Sequence, residues 1–259
     1  MNLYTVLSVA QFTGLLLFTP YAVDALSHSL PSSFPRCRKA ELDTDRCKNV
    51  IFEKSLHLLG KGIPELGLPS INPLEVAELI IGESGGPVSL SVRFRNAVVT
   101  GLTDATFYGG KFDFKDKNNM SIIFTSAVET VNFDADYEMS GRMLLIPLSG
   151  KGRCKFTYYN LNSTLGPTGK MITIKGKEYF NVTDFYILLH KIENVNFQFD
   201  NLFNGDKNVG SPILKLINDN WQKLWGEMFP VFLEVFKNLY ITLAKRVFDR
   251  VPFDDIFLD

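Results

Sequence analysis

A serine set among glycines is the first place in this chain where chemistry could happen. Gly82-Glu-Ser-Gly-Gly-Pro-Val fits the G-x-S-x-G pattern of serine hydrolases, with Ser84 as nucleophile. That pattern works when a strand leads into the serine and a helix follows. Here the residues predict a brief helix from Pro73 to Ile81 before the serine, and a strand after it. His28 and His57 precede Ser84 and His190 is the one histidine after it, with no arrangement of barrels to hold a base and its orienter. Ser84 therefore reads as part of a glycine-rich turn. Three scattered histidines and three cysteines make no metal cluster. Asp200-Asn-Leu-Phe-Asn-Gly starts like a calcium loop, but Leu202 stands where an oxygen ligand is needed. Gly150-Lys-Gly-Arg is too short for a phosphate loop. No catalytic residue, metal or cofactor is expected, and the chain is not read as an enzyme.

The remaining signals concern compartment. Val6 to Tyr21 is mostly apolar and Val23-Asp24-Ala25 offers small residues for cleavage, so residues 1–25 read as a secretory signal peptide, with a signal anchor as the alternative. Residues 26–259 then form a single domain. Its removal takes Asp24 with it, leaving 27 basic against 27 acidic residues where the full chain has 27 against 28. A neutral chain gives no electrostatic reason to bind nucleic acid or an anionic bilayer. No later apolar run is long enough for membrane insertion. In an oxidising compartment Cys37 and Cys47 are the natural disulfide pair, and Cys154 is left over, either as a buried thiol or for an intermolecular bridge. Asn119-Met-Ser, Asn162-Ser-Thr and Asn181-Val-Thr are glycosylation sequons that fit secretion.

The elements follow from periodicity. Asp45 to Gly60 predicts an amphipathic helix. From Pro87 the pattern has period two, with Val88, Leu90, Val92 and Phe94 on one face. Further strands are expected near Ala105–Phe114, Ser121–Phe133, Ala135–Leu148, Gly152–Leu161, Lys170–Val182 and Asp184–Phe199. Lys117-Asn-Asn, Ser149-Gly-Lys-Gly, Leu165-Gly-Pro-Thr-Gly and Asn204-Gly-Asp are read as the turns between them. Pro212 to Asp249 predicts one long helix, capped by Ser211 and kinked around Gly226–Pro230. Its apolar face spans about 160° and includes Trp221, Trp225, Phe229, Phe232, Phe236 and Tyr240. The fold class is α+β: a curved antiparallel sheet rolled around a long C-terminal helix. Two interiors satisfy this pattern, a solid aromatic core and a lined apolar cavity, and the residues alone leave both open.

Several stretches resemble one known family. They are Cys37 to Cys47; Leu59-Gly-Lys-Gly-Ile-Pro-Glu-Leu-Gly-Leu-Pro-Ser-Ile-Asn-Pro-Leu; Phe94-Arg-Asn-Ala-Val-Val-Thr-Gly-Leu; and Gly141-Arg-Met-Leu-Leu-Ile-Pro-Leu-Ser-Gly-Lys-Gly. Phe199-Asp-Asn-Leu-Phe-Asn-Gly-Asp, Asn218-Asp-Asn-Trp and Val247-Phe-Asp-Arg-Val-Pro-Phe-Asp-Asp-Ile-Phe complete the set. In this order they are similar to the insect hemolymph juvenile hormone-binding proteins and, within them, the Takeout group. The resemblance implies a hydrophobic tunnel around the long helix and a secreted carrier of a small lipophilic ligand, juvenile hormone-like or fatty-acid-like, in hemolymph or other extracellular fluid. Hormone-binding members carry a second disulfide at about Cys154, and this chain has no fourth cysteine to make it. Feeding, circadian and chemosensory roles occur in the family. On this reading Trp225, Phe229, Phe232 and Phe236 line the ligand space and Tyr137 is a polar anchor, each with ordinary core packing as the alternative. The protein is expected to be a monomer. Membrane-touching lipid transfer and engagement of an extracellular receptor are the alternative roles.

Overall fold

The computed structural model describes residues 30–82, 88–143 and 146–259, so the expected signal peptide and Ser84 lie outside the described residues. The chain begins with a short strand β1 (Cys37–Arg38), then helix α1 (Asp45–Lys61). The Thr44 hydroxyl accepts from the Cys47 amide to cap α1, and Gly62 ends it. Strands β2 (Leu74–Ile81), β3 (Val88–Thr100), β4 (Thr106–Asp113), β5 (Met120–Met143), β6 (Ile146–Ile174), β7 (Lys177–Lys191) and β8 (Asn194–Phe199) follow. Helices α2 (Lys207–Asp219), α3 (Trp221–Phe248) and α4 (Phe253–Ile256) and strand β9 (Phe257–Leu258) complete the described fold.

Seven strands form one antiparallel sheet in which β5 and β6 are the shared spine. The first half of β5 pairs with β4 and its second half with β3. The first half of β6 pairs with β8, its second half with β7. The exchange of partners on β6 falls at Asn160, whose φ of 50° breaks the extended run. A bulge between Arg95 and Val98, with Asn96 at φ 51°, interrupts β3 without changing its partners. The inward residues are Leu90, Val92 and Phe94 before the bulge and Ala97 and Val99 after it, because one extra residue reverses the facing of all that follow. The result is two hydrophobic clusters, one under each half of the sheet. Leu243 of α3 packs against both.

Four sequence expectations are corrected. Leu74–Ile81 is an edge strand on β3 and not a helix, since cross-strand pairing outweighs the helix propensity of Leu, Glu and Ala. Ser84 is therefore preceded by a strand, but another strand follows it, so the elbow still lacks its helix. The glycine-rich stretches at Ser149–Gly152 and Leu165–Gly169 are not turns, because both lie inside β6. Their glycines serve close approach: a Cβ on Gly150 would sit 2.5 Å from the Tyr137 hydroxyl, and one on Gly169 would sit 2.0 Å from the Asn181 carbonyl. The predicted strands Ser121–Phe133 and most of Ala135–Leu148 are fused into β5, while residues 146–148, Gly152–Leu161 and the start of Lys170–Val182 are fused into β6.

The fourth correction concerns the C-terminal helix. It starts at Lys207, capped by the Asp206 carboxylate on the Asn208 amide, with Pro212 inside it. Its interruption is at Asn220 (φ −122°, ψ 26°), while the backbone stays helical through Gly226 and Pro230. The physical reason lies two residues earlier. The Asn218 side chain accepts from the Phe197 amide at 2.7 Å and donates to the Phe197 carbonyl at 2.9 Å, fastening α2 to the free edge of β8. Asn218→Ala is expected to destabilise the protein by about 2 kcal/mol, read from urea unfolding, because two partly buried backbone groups lose their partner.

The disulfide between Cys37 and Cys47 is present, with Cα atoms 6.0 Å apart. It anchors a clamp between two segments far apart in sequence: β1 pairs in parallel with β9, placing Cys37 opposite Phe257. Lys39 reaches Asp254 at 2.7 Å and Asp259 at 2.6 Å across the same join.

Candidate ligand-binding site

Along α3 the aromatic side chains form a continuous row. Trp225 stacks with Phe232 at 5.9 Å, Phe232 with Phe236 at 6.3 Å, and Phe236 with Tyr240 at 6.4 Å. Phe229 flanks Trp225 at 5.4 Å. Spacings of three and four residues put these rings on one side of the helix, over roughly 22 Å of its axis. The sheet closes both ends of the row. Tyr158 of β6 meets Trp225 edge-on at 5.4 Å, and Phe185 of β7 meets Tyr240 at 5.2 Å. An ion pair between Lys237 and Asp184, 2.8 Å apart, fixes α3 to β7 beside Phe185 and holds the Asp184 carboxyl below its ordinary pKa.

Burial along this row is uneven. Phe232 is buried, but Trp225, Phe229, Phe236 and Tyr240 keep accessible surface, although Trp225 and Phe236 pack against the core cluster. Desolvation alone pushes the Tyr240 phenol above its ordinary pKa, so this ring combines a deep position with residual accessible surface. The surroundings are apolar. The buried polar side chains among the described residues are Ser126, Thr157 and Ser163, and no buried side chain is charged. Thr157 donates to Asn132 Oδ1 at 3.1 Å. Trp225 Nε1–H is buried with no acceptor in reach among the described residues.

Sequence reasoning placed Trp225, Phe229, Phe232 and Phe236 together, and the structure shows them in one row. Tyr137 is elsewhere in the same cluster. It is 2% exposed, meets Phe199 edge-on at 4.9 Å, and donates its hydroxyl to the Asp200 carbonyl at 2.7 Å. Tyr158 and Phe185 were not singled out, because nothing in Tyr158-Tyr159 says which ring faces inward. The phase of Cys154, Phe156 and Tyr158, alternating along β6, is the signal that finds it.

Charge stays on the outer face of the sheet. A cleft of about 470 Å³ there contains Arg93, Arg95, Lys151 and Arg153. Each has an acidic neighbour: Arg93 and Arg95 approach Glu78 at 3.2 and 3.3 Å, Lys151 approaches Glu138 at 3.8 Å, and Arg153 approaches Asp136 at 3.2 Å. This balanced lattice provides cross-strand pairing rather than an anion site. Among the described residues no cluster of His, Cys, Asp and Glu could hold a metal, and no helix is long and apolar enough to cross a membrane.

Cys154 is a buried free thiol, with burial pushing its pKa up to about 12 from an ordinary 9.0. Burial likewise carries Tyr137 up to about 12 from 10.0. Both groups keep their protons in the folded state at pH values where the unfolded chain releases them. The unfolded state then binds fewer protons, so stability is intact below pH 9 and falls as pH rises toward 12. Thermal unfolding midpoints are expected to drop across that window, and a thiol reagent at pH 8 should label Cys154 only after denaturation.

The site is thus a long helix backed by a coiled sheet, with an aromatic row along the helix and no charged side chain buried among the described residues. The haemolymph juvenile hormone binding protein family model matches residues 14–258, and the chain belongs to that family. It is 25% identical to the circadian clock-controlled protein daywake of Drosophila yakuba over 94% of each chain. It is 24% identical to daywake of Drosophila melanogaster over 95% of each. Its fold matches the crystal structure of Epiphyas postvittana Takeout 1 with a TM-score of 0.74 and 22% identity, over 87% of this chain and 100% of that one.

Proposed function

We propose that the protein is a secreted, extracellular carrier that holds a small lipophilic molecule, terpenoid or fatty-acid-like, along the aromatic row of α3. The observation that carries this reading is a set of deep aromatic rings that pack against the core yet keep accessible surface. In a filled interior the inward face of a helix has almost none. Family membership points the same way. Binding would be driven by apolar burial, at about 25 cal/mol per Å² before ordering costs. Native mass spectrometry of the protein secreted from insect cells is expected to show a co-purified lipid, or uptake of an added terpenoid or fatty-acid ester. No mass shift across such a panel would overturn the reading.

The sequons support the secretory route unequally. Asn119 is exposed in the turn between β4 and β5, Asn181 is half-buried in β7, and Asn162 has its side-chain carbonyl buried without a partner. A glycan is therefore expected at Asn119. Asn119→Gln should remove one glycan's mass from the secreted protein on a gel, and an unchanged mobility would place the modification elsewhere.

A further inference from the structure

We propose that the Trp225 indole N–H donates a hydrogen bond to the ligand, and that the ligand is a neutral lipophile bearing an acceptor oxygen, such as an ester, ketone, ether or epoxide. The inference rests on the carrier reading and narrows its ligand class. Three observations lead to it.

Trp225 Nε1–H is buried and has no acceptor. A buried donor left unmade is a costly defect, and tryptophans that are buried normally find a partner for this group. The neighbouring rings of Tyr158, Phe229 and Phe232 offer only π faces, which are weak acceptors. An oxygen on a bound molecule would complete this donor. A hydrocarbon would leave the N–H as it is.

The second observation is the absence of buried charge among the described residues. An ionised carboxylate beside Trp225 would give up its hydration with no cation to receive it. The acceptor must therefore be uncharged. The third is position. Trp225 stands at one end of the row and Tyr240 at the other, roughly 22 Å along the helix. The oxygen accordingly belongs near one end of the ligand, with an apolar tail laid along Phe232 and Phe236.

The test uses three molecules of equal chain length, 2-heptadecanone, heptadecane and heptadecanoate. Each competes with bound N-phenyl-1-naphthylamine on the wild-type protein and on Trp225→Phe. The ketone is expected to bind the wild type roughly tenfold more tightly than heptadecane, the ratio of one ordinary hydrogen bond. In Trp225→Phe the ketone should bind no more tightly than heptadecane does to the same variant, whose thermal unfolding midpoint independently certifies the fold. Heptadecanoate should bind the wild type more weakly than the ketone. A ketone preference that survives Trp225→Phe, or heptadecanoate binding as tightly as the ketone, would overturn the inference but leave the carrier standing. Failure of the probe and all three molecules to bind would remove both. A second reading does not depend on the variant. The wild type has two tryptophans, and the Trp225 indole N–H resonance should shift downfield with the ketone and not with heptadecane.

Discussion

Phe156→Ala is expected to remove about 3–5 kcal/mol from the folding free energy, enough to unfold a protein of ordinary stability near body temperature. Phe156 is 3% exposed at the centre of the first cluster. It meets Phe133 at 5.4 Å, Phe94 at 5.8 Å, Phe197 at 5.1 Å and Phe199 at 5.3 Å. Those rings come from β3, β5 and β8, so one side chain joins four strands. Truncation leaves a cavity that four relatively rigid rings cannot collapse into. Chemical denaturation measures it, and a loss below about 1 kcal/mol would mean that this half of the sheet is not closely packed.

Leu239→Trp is expected to do the reverse: lower ligand affinity at least tenfold while changing stability by less than about 1 kcal/mol. Leu239 lies on the inward side of α3 between Phe236 and Leu243, and is only partly buried although it packs against the cluster. In a filled interior the larger indole would force its neighbours apart, and overpacking of that kind costs about 1–3 kcal/mol. Beside a ligand space it takes up room that the ligand would use. Paired measurements of probe affinity and unfolding free energy separate the two cases. A strongly destabilised variant would show that the row is ordinary core.

The helical apolar stripe was legible because period 3.6 persists from Trp221 to Leu243 and demands one buried face. The strands were legible individually, but their lengths were not. Glycine and proline at 149–152 and 165–169 look like turns in a linear reading. In the fold the glycines are sites where a neighbouring strand or the Tyr137 hydroxyl passes too close for a Cβ, a fact that only pairing reveals. The helix break was misplaced for a related reason. Pro230 is a local signal, whereas Asn218 acts through its bonds to Phe197, which are fixed by tertiary structure. The aromatic row of the proposed site was legible in the sequence because one helix supplies it. Its closing residues, Tyr158 and Phe185, come from strands whose inward phase depends on bulges and on Asn160.

The clamp between β1 and β9 also sets a schedule. Cys37 and Leu30 share a cluster with Phe112, Phe180, Phe253 and Phe257, so residues made early are enclosed by residues made far later. During synthesis the second cluster cannot close until residues 253–258 have left the ribosome. Until then the rings of Phe112, Phe114 and Phe180 face water, a chaperone or a lipid. The nascent chain therefore passes through an interval in which the aromatic interior of the second cluster is still uncovered.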